Sequence, residues 1–235
     1  MKKTISIITL ILHLSIISFA QTLSVGVNYG YNLSQLTGDY RIQEPRDFIK
    51  NNPISNYTYG VVVNYHFKSK LSLQGEINYK TKSHDFRMAD GVMGGGIVGR
   101  VDFNYLEIPL LMKYSFGNRL KLFVNTGPSV NILLSGGNYY DITFSDNPPF
   151  QDQYHSLNIL SDFNTITIGI VGGIGISYNV ISNINLHAQI RTSYDLTNAA
   201  KVASYSDPNR GGTWSYNTTH FLDYVMQFGL SYTFY

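Results

Sequence analysis

Residues Tyr105–Phe116 read YLEIPLLMKYSF, Gly117–Arg119 read GNR, and Leu120–Leu134 read LKLFVNTGPSVNILL. In the first run Leu106, Ile108, Leu110, Met112, Tyr114 and Phe116 share one parity, and Glu107, Pro109, Lys113 and Ser115 share the other. In the second run Leu120, Leu122, Val124, Val130 and Ile132 alternate with Lys121, Asn125, Ser129 and Asn131. A repeat of two marks a strand, whose successive side chains point to opposite faces. The polar link between the runs is short enough to make them antiparallel neighbours. The hairpin has one apolar face and one polar face, and the direction in which the apolar face looks decides the fold.

The same alternation recurs on both sides of the hairpin. Leu23, Val25, Val27, Tyr29 and Tyr31 mark a first strand, and Tyr57, Tyr59, Val61, Val63, Tyr65 and Phe67 a second. Leu71, Leu73, Ile77 and Tyr79 mark the third. Beyond the hairpin, strands six to eight run over residues 165–178, 184–195 and 222–234. The links alternate in length: residues 33–55, 81–100, 135–164 and 197–218 are long, while 68–70, 117–119 and 179–183 are short. This pattern predicts an all-β, eight-stranded antiparallel up-and-down transmembrane β-barrel in an outer membrane, with four long extracellular loops and three short periplasmic turns. Tyr31, Tyr57, Tyr79, Tyr194 and Phe221 are expected at the headgroup level nearer the long loops, with Phe67, Tyr114, Phe116, Tyr178, Tyr232 and Phe234 nearer the short turns. A soluble barrel of lipocalin type would turn the apolar faces inward. Eight strands enclose room for few side chains, and so many Ile, Leu, Phe and Tyr residues would crowd it.

Two features of the hairpin depart from regular alternation. Val101, Phe103 and Tyr105 have the parity opposite to Leu106 and Ile108, which predicts either a bulge near Tyr105 or a strand end that has left the membrane. Pro109 and Pro128 fall inside strands, where each removes a ladder donor. Counting from the turn sets them nearly opposite, as one shared defect.

Composition agrees with a membrane site. Charged residues are 14% of the chain, against about 25% in an ordinary soluble domain. Residues 1–20 have the layout of a signal peptide: Lys2 and Lys3, an apolar stretch over Ile5–Ile17, then small residues ending at Ala20. Cleavage after Ala20 leaves Gln21 as the first residue of a barrel domain over 21–235. The 17 basic and 15 acidic residues then become 17 − 2 = 15 against 15, so the mature chain is formally neutral and no nucleic-acid partner is expected. The absence of cysteine excludes disulfides, thiol chemistry and Cys-based zinc sites.

In Tyr105–Tyr114, YLEIPLLMKY, and Thr126–Leu134, TGPSVNILL, the chain resembles the PorT-like outer-membrane β-barrel family. The glycine-rich sixth strand and the aromatic C-terminus fit the same family. The resemblance implies an eight-stranded barrel without common catalytic residues, and suggests a subunit of an outer-membrane secretion or transport assembly as one role. The chain departs from the pattern in the single residue, Tyr235, that follows Phe234.

Of the charges on the polar face, counting upward from each turn sets Lys80, Glu107 and Arg191 at similar heights, with Glu76 a little lower. Buried charges are costly unless paired. These four residues are therefore expected to form an ion-pair cluster around Glu107 and Arg191 that closes the lumen. Val171 is expected opposite Arg191, with Gly169 and Gly173 leaving space for its side chain. No catalytic, cofactor or metal site is expected. Gly94–Gly99, GGGIVG, lacks the strand before and helix after that a dinucleotide site needs, and reads as loop composition. Consecutive Ser83, His84 and Asp85 point apart on an extended chain and cannot form a triad. His187 lies between Asn185 and Gln189 on its face, without a nucleophile, and Asp146, Asn147 and Asp152 match no calcium-loop spacing. The main expectation is a non-enzymatic barrel that offers loop residues such as Tyr139, Tyr140 and Trp214 to an extracellular or envelope protein. Its other partners would be outer-membrane lipid and the barrel-assembly machinery during biogenesis. A lipid-acting enzyme and a small pore are the alternatives.

Overall fold

The computed structural model describes residues 22–42, 52–89, 96–143, 163–201, 203–206 and 213–234. The expected leader and the Ala20–Gln21 cleavage point lie outside the described residues, as do Asp146, Asn147 and Asp152. The strands are β1 (Thr22–Ile42), β2 (Asn52–His66), β3 (Leu71–Ala89), β4 (Gly96–Gly117), β5 (Leu120–Thr143), β6 (Ile166–Ile181), β7 (Ile184–Asp195), β8 (Ala203–Ser206) and β9 (Thr213–Phe234). Each of β1 to β6 pairs antiparallel with the next, β7 pairs with β9, and β9 pairs with β1. Eight strands thus close into a barrel. The four-residue β8 lies outside that count, along the upper end of β9.

The apolar side chains look outward. Val27 is 57% exposed and Ile174 64%, whereas Asn78, Lys82 and Asp223 are 0% exposed. With the polar residues enclosed and the apolar ones bare, the outer surface suits acyl chains and the soluble alternative fails. The described chain ends, Thr22 and Phe234, lie at the same end as the short turns. Gly117, at φ 105°, supplies the left-handed backbone of the β4–β5 turn.

The strands are longer than expected, and all four long loops shrink accordingly. β4 has 22 residues and β5 24, although about 10 suffice to cross a membrane. Gly96–Gly99, read as loop, is strand paired with Phe86–Ala89. Tyr139 and Tyr140 pair with Arg100 and Gly99, and Trp214 with Ile42 and Tyr205, so these three are strand positions rather than loop tips. Above the lipid the outward face of a strand no longer meets acyl chains. Backbone pairing continues there, but the apolar alternation that reveals it in sequence stops.

β6 and β7 are the short side of this wall, at 16 and 12 residues. Here the chain turns over the interior. Asn164 N–H donates to Ala199 O (2.8 Å), and Ala199 N–H to Thr219 O (2.7 Å).

The irregularities of the hairpin resolve in two ways. Asn104 pairs with Ser135 but Tyr105 with Leu133, so Leu134 is a bulge on β5. The register of β3 against β4 runs on unbroken past Tyr105. Val101, Phe103 and Tyr105 therefore keep the inward parity of Glu107 and are buried. The two prolines leave ladder gaps on both sides of β4: between Gly75 and Asn78 against β3, and between Thr126 and Ser129 against β5.

Candidate functional site

The inward residues form three layers along the barrel axis. The middle layer is a belt of charge. Arg191 on β7 donates from Nη1 and Nη2 to Glu76 Oε2 and Oε1 on β3 (2.9 and 2.8 Å). Gln74 and Asn78 flank Glu76 on the same strand and also donate to its carboxylate. Higher up, Lys80 Nζ lies 2.7 Å from Glu107 and 3.4 Å from Asp223. Lys82 Nζ lies 3.2 Å from both Asp195 and Asp223. Asn131 and Ser193 supply further donors to Asp195 (2.8 Å) and Asp223 (3.1 Å). Three cations thus face four carboxylates across the barrel, with neutral amides between them.

Small residues on β6 make the belt possible. Gly173 is paired with Arg191, and a Cβ there would lie 2.9 Å from the Arg191 Cβ and 2.8 Å from Asn125 Oδ1. Gly175 leaves space in the same way for the Phe123 ring. The partner of Arg191 is Gly173, not Val171, because the strands close on a two-residue turn at Ser182–Asn183 instead of the expected 179–183, and the extra residue Val180 offsets only part of that shift.

Above the belt the interior becomes apolar. Phe103 and Tyr105 from β4 and Phe221 from β9 meet Phe163, which arrives on the segment folded over the β6 side. The ring centroids of Phe103 and Phe163 are 4.4 Å apart, and those of Phe103 and Phe221 5.7 Å. Leu36, Val101, Leu133, Ala199 and Ala200 complete this buried cluster. Lys82 Nζ joins the two layers, lying 4.9 Å from the Tyr105 ring centroid and 4.8 Å from that of Phe221. Phe221, expected at the outer headgroup level, is instead fully buried here.

Below the belt the interior opens. A cavity of about 250 Å³ lies at the short-turn end, reaching from His187 and Asn64 down to Lys68–Lys70. His187 Nε2 is 2.8 Å from Asn28 Oδ1, and His66 Nε2 is 3.2 Å from Ser24 Oγ. Lys113 Nζ stands 3.9 Å above the Phe123 ring centroid.

The structure brings Glu76, Lys80, Glu107 and Arg191 into one belt, but the pairing expected between Glu107 and Arg191 is not formed. Arg191 reaches Glu76 on the opposite wall, and Glu107 takes Lys80. Lys82, Asp195 and Asp223 belong to the belt but not to the expected cluster. Lys82 continues the parity of Lys80, and Asp223 stands between Leu222 and Tyr224, so the repeat of two held both. Ser83 is bonded to Asp102 and Asn56 rather than to a histidine. Among the described residues no group of three His, Asp or Glu side chains is placed to hold a metal.

An apolar outer wall around a closed eight-stranded barrel with a charged interior defines an integral outer-membrane barrel, which crosses the membrane by its strands. Residues 19–201 match the outer membrane protein beta-barrel domain family, and the chain belongs to it. Among solved structures the chain is similar to outer membrane protein OprG of Pseudomonas aeruginosa, at 13% identity and a TM-score of 0.52 over 92% of this chain and 97% of that one. A major outer membrane protein from Thermus thermophilus aligns at 12% identity and a TM-score of 0.45, over 92% of this chain and 100% of that one. Neisserial surface protein A aligns at 13% and 0.43, over 89% and 97%. No curated protein matches the chain. In such barrels the short turns are periplasmic and the long connections extracellular. The apolar layer is therefore the extracellular end of the interior, and the open cavity is its periplasmic mouth.

Proposed function

We propose that this protein is a non-enzymatic outer-membrane barrel with a closed interior, and that its tall extracellular wall is a binding or structural surface. The observation that supports this most is the filled upper interior, in which Phe103, Tyr105, Phe163 and Phe221 lie over paired charges. An aqueous path would have to displace both layers. The strand positions Tyr139, Tyr140 and Trp214 are the proposed contacts with an extracellular or envelope protein, since aromatic side chains often anchor interfaces. The lipid of the outer membrane and the machinery that inserts barrels are the proposed partners in biogenesis. Purified protein in a planar lipid bilayer is expected to give no single-channel steps, and regular steps would overturn the closed-interior reading. A role in a secretion or transport assembly has the hairpin resemblance in its favour. Copurification of a large export complex after mild detergent extraction is the result that would support it.

A further inference from the structure

The interior cations divide sharply by height. Lys80, Lys82 and Arg191 in the belt each lie within ion-pair distance of a carboxylate. Lys113 and Lys121, lower on β4 and β5, make no such pair among the described residues, and neither do Lys68 and Lys70 at the rim. All four line the periplasmic cavity together with His66 and His187, and among the described residues no Asp or Glu lines it. The rest of the lining is rich in hydroxyl and amide groups, including Ser24, Ser177 and Ser231. Like charges gathered around one small space repel one another unless an anion or water lies between them.

We propose that the periplasmic mouth is a binding site for a phosphate-class oxyanion, with Lys113 and Lys121 as its inner cations and Lys68 and Lys70 as its entrance. Tetrahedral, doubly charged phosphate offers more acceptor atoms than a carboxylate, and this suits a ring of ammonium and hydroxyl donors on several strands. The size agrees. A cavity of about 250 Å³ falls below the roughly 300–1,000 Å³ of drug-sized ligand sites, which fits an inorganic phosphate or a phosphate ester head rather than an extended chain. A free phosphate compound of the periplasm and the phosphate of an inner-leaflet lipid share this chemistry.

The test is a calorimetric titration of the full barrel, in uncharged detergent, with inorganic phosphate. Saturable binding is expected, weakened at least tenfold in K113Q/K121Q. The same titration in nanodiscs separates the two sources. Phosphate affinity that is the same in detergent and in phosphatidylcholine discs points to the free anion, and affinity lost in phosphatidylcholine and phosphatidylglycerol discs alike, whose heads each carry a phosphodiester, points to the lipid head. To keep the test independent of whether the variant folds, lysine acylation of the unaltered protein is followed by mass spectrometry. Phosphate is expected to protect Lys113 and Lys121 but not Lys201, which lies outside the cavity. No saturable binding, unchanged affinity in the double variant, or equal acylation with and without phosphate would each overturn the proposal.

Discussion

Lys82 and Lys121 look into the same barrel from β3 and β5, yet they live in different solvents. Lys82 is sealed between Asp195, Asp223 and the rings of Tyr105 and Phe221, while Lys121 lines an open cavity and has no carboxylate beside it among the described residues. A lysine at the sealed end needs a counter-charge, because its side chain is cut off from solvent. At the periplasmic mouth water does that work, and a lysine can stand alone. The interior is therefore graded along its axis, from wet and cationic, through neutralised charge, to apolar. Such a gradient closes a barrel at one end while leaving a recess at the other.

The sharpest way to break this contrast is to remove one partner from the belt. Arg191→Leu leaves Glu76 buried and unpaired on the far wall. It is expected to cost about 3–5 kcal/mol, read as a lowered urea midpoint in detergent micelles. The double variant E76L/R191L should recover most of that loss, because apolar residues of similar size often replace a buried pair without penalty. If the double variant were as unstable as the single one, the belt would matter through something other than its charges. The apolar layer comes next. Phe163→Ala empties the centre of the aromatic cluster and is expected to cost about 3 kcal/mol. A conductance that appears in E76L/R191L/F163A, but in neither parent variant, would show that belt and cap close the interior in series.

How much of this could be read beforehand depended on where water and lipid meet the wall. Within the membrane, outward Ile, Leu and Tyr alternate with inward polar residues, and the hairpin at Tyr105–Leu134 alone announces the fold. Above the lipid the outward requirement ends. Arg87–Ala89 and Gly96–Gly99 pair as strands there without any periodic signal, and their composition reads as loop. The inward cap was hidden for a different reason. Phe103 and Tyr105 have the parity of Glu107, but a barrel interior is expected to be polar, so an apolar residue on that parity suggested a broken strand. Phe163 and Ala199–Ala200 reach the interior through a turn over the short β6–β7 side, which no local pattern foretells. The belt was legible as residues but not as pairs: partners across the barrel depend on turn registers, and a two-residue turn at Ser182–Asn183 in place of the expected 179–183 moved Arg191 from Val171 to Gly173.

Gly173 gives a smaller and more local test. Gly173→Val would press a branched side chain against the Arg191 Cβ and Asn125 Oδ1, tilting the guanidinium away from Glu76. An overpacking cost of about 1–3 kcal/mol is expected in the same unfolding assay. In the E76L/R191L background the penalty should shrink, since the salt-bridge geometry that Gly173 protects is already gone. Equal penalties in both backgrounds would mean that the glycine serves the backbone and not the arginine.

The smallest expected effect lies at the periplasmic mouth. Lys121→Gln removes a charge from the same lumen as Lys82, on the same inward parity as Asn125 and Ser129, yet it breaks no ion pair among the described residues. With water able to solvate either side chain, the change in stability should stay within about 0.5 kcal/mol. Relief of repulsion from Lys113 could even make it slightly positive at low salt, an effect that screening should erase as ionic strength rises. Unfolding midpoints measured for Lys121→Gln and for unaltered protein across a chloride series would show this as two curves that converge. A loss of several kcal/mol instead would mean that Lys121 has a buried partner and that the mouth is as tightly closed as the belt.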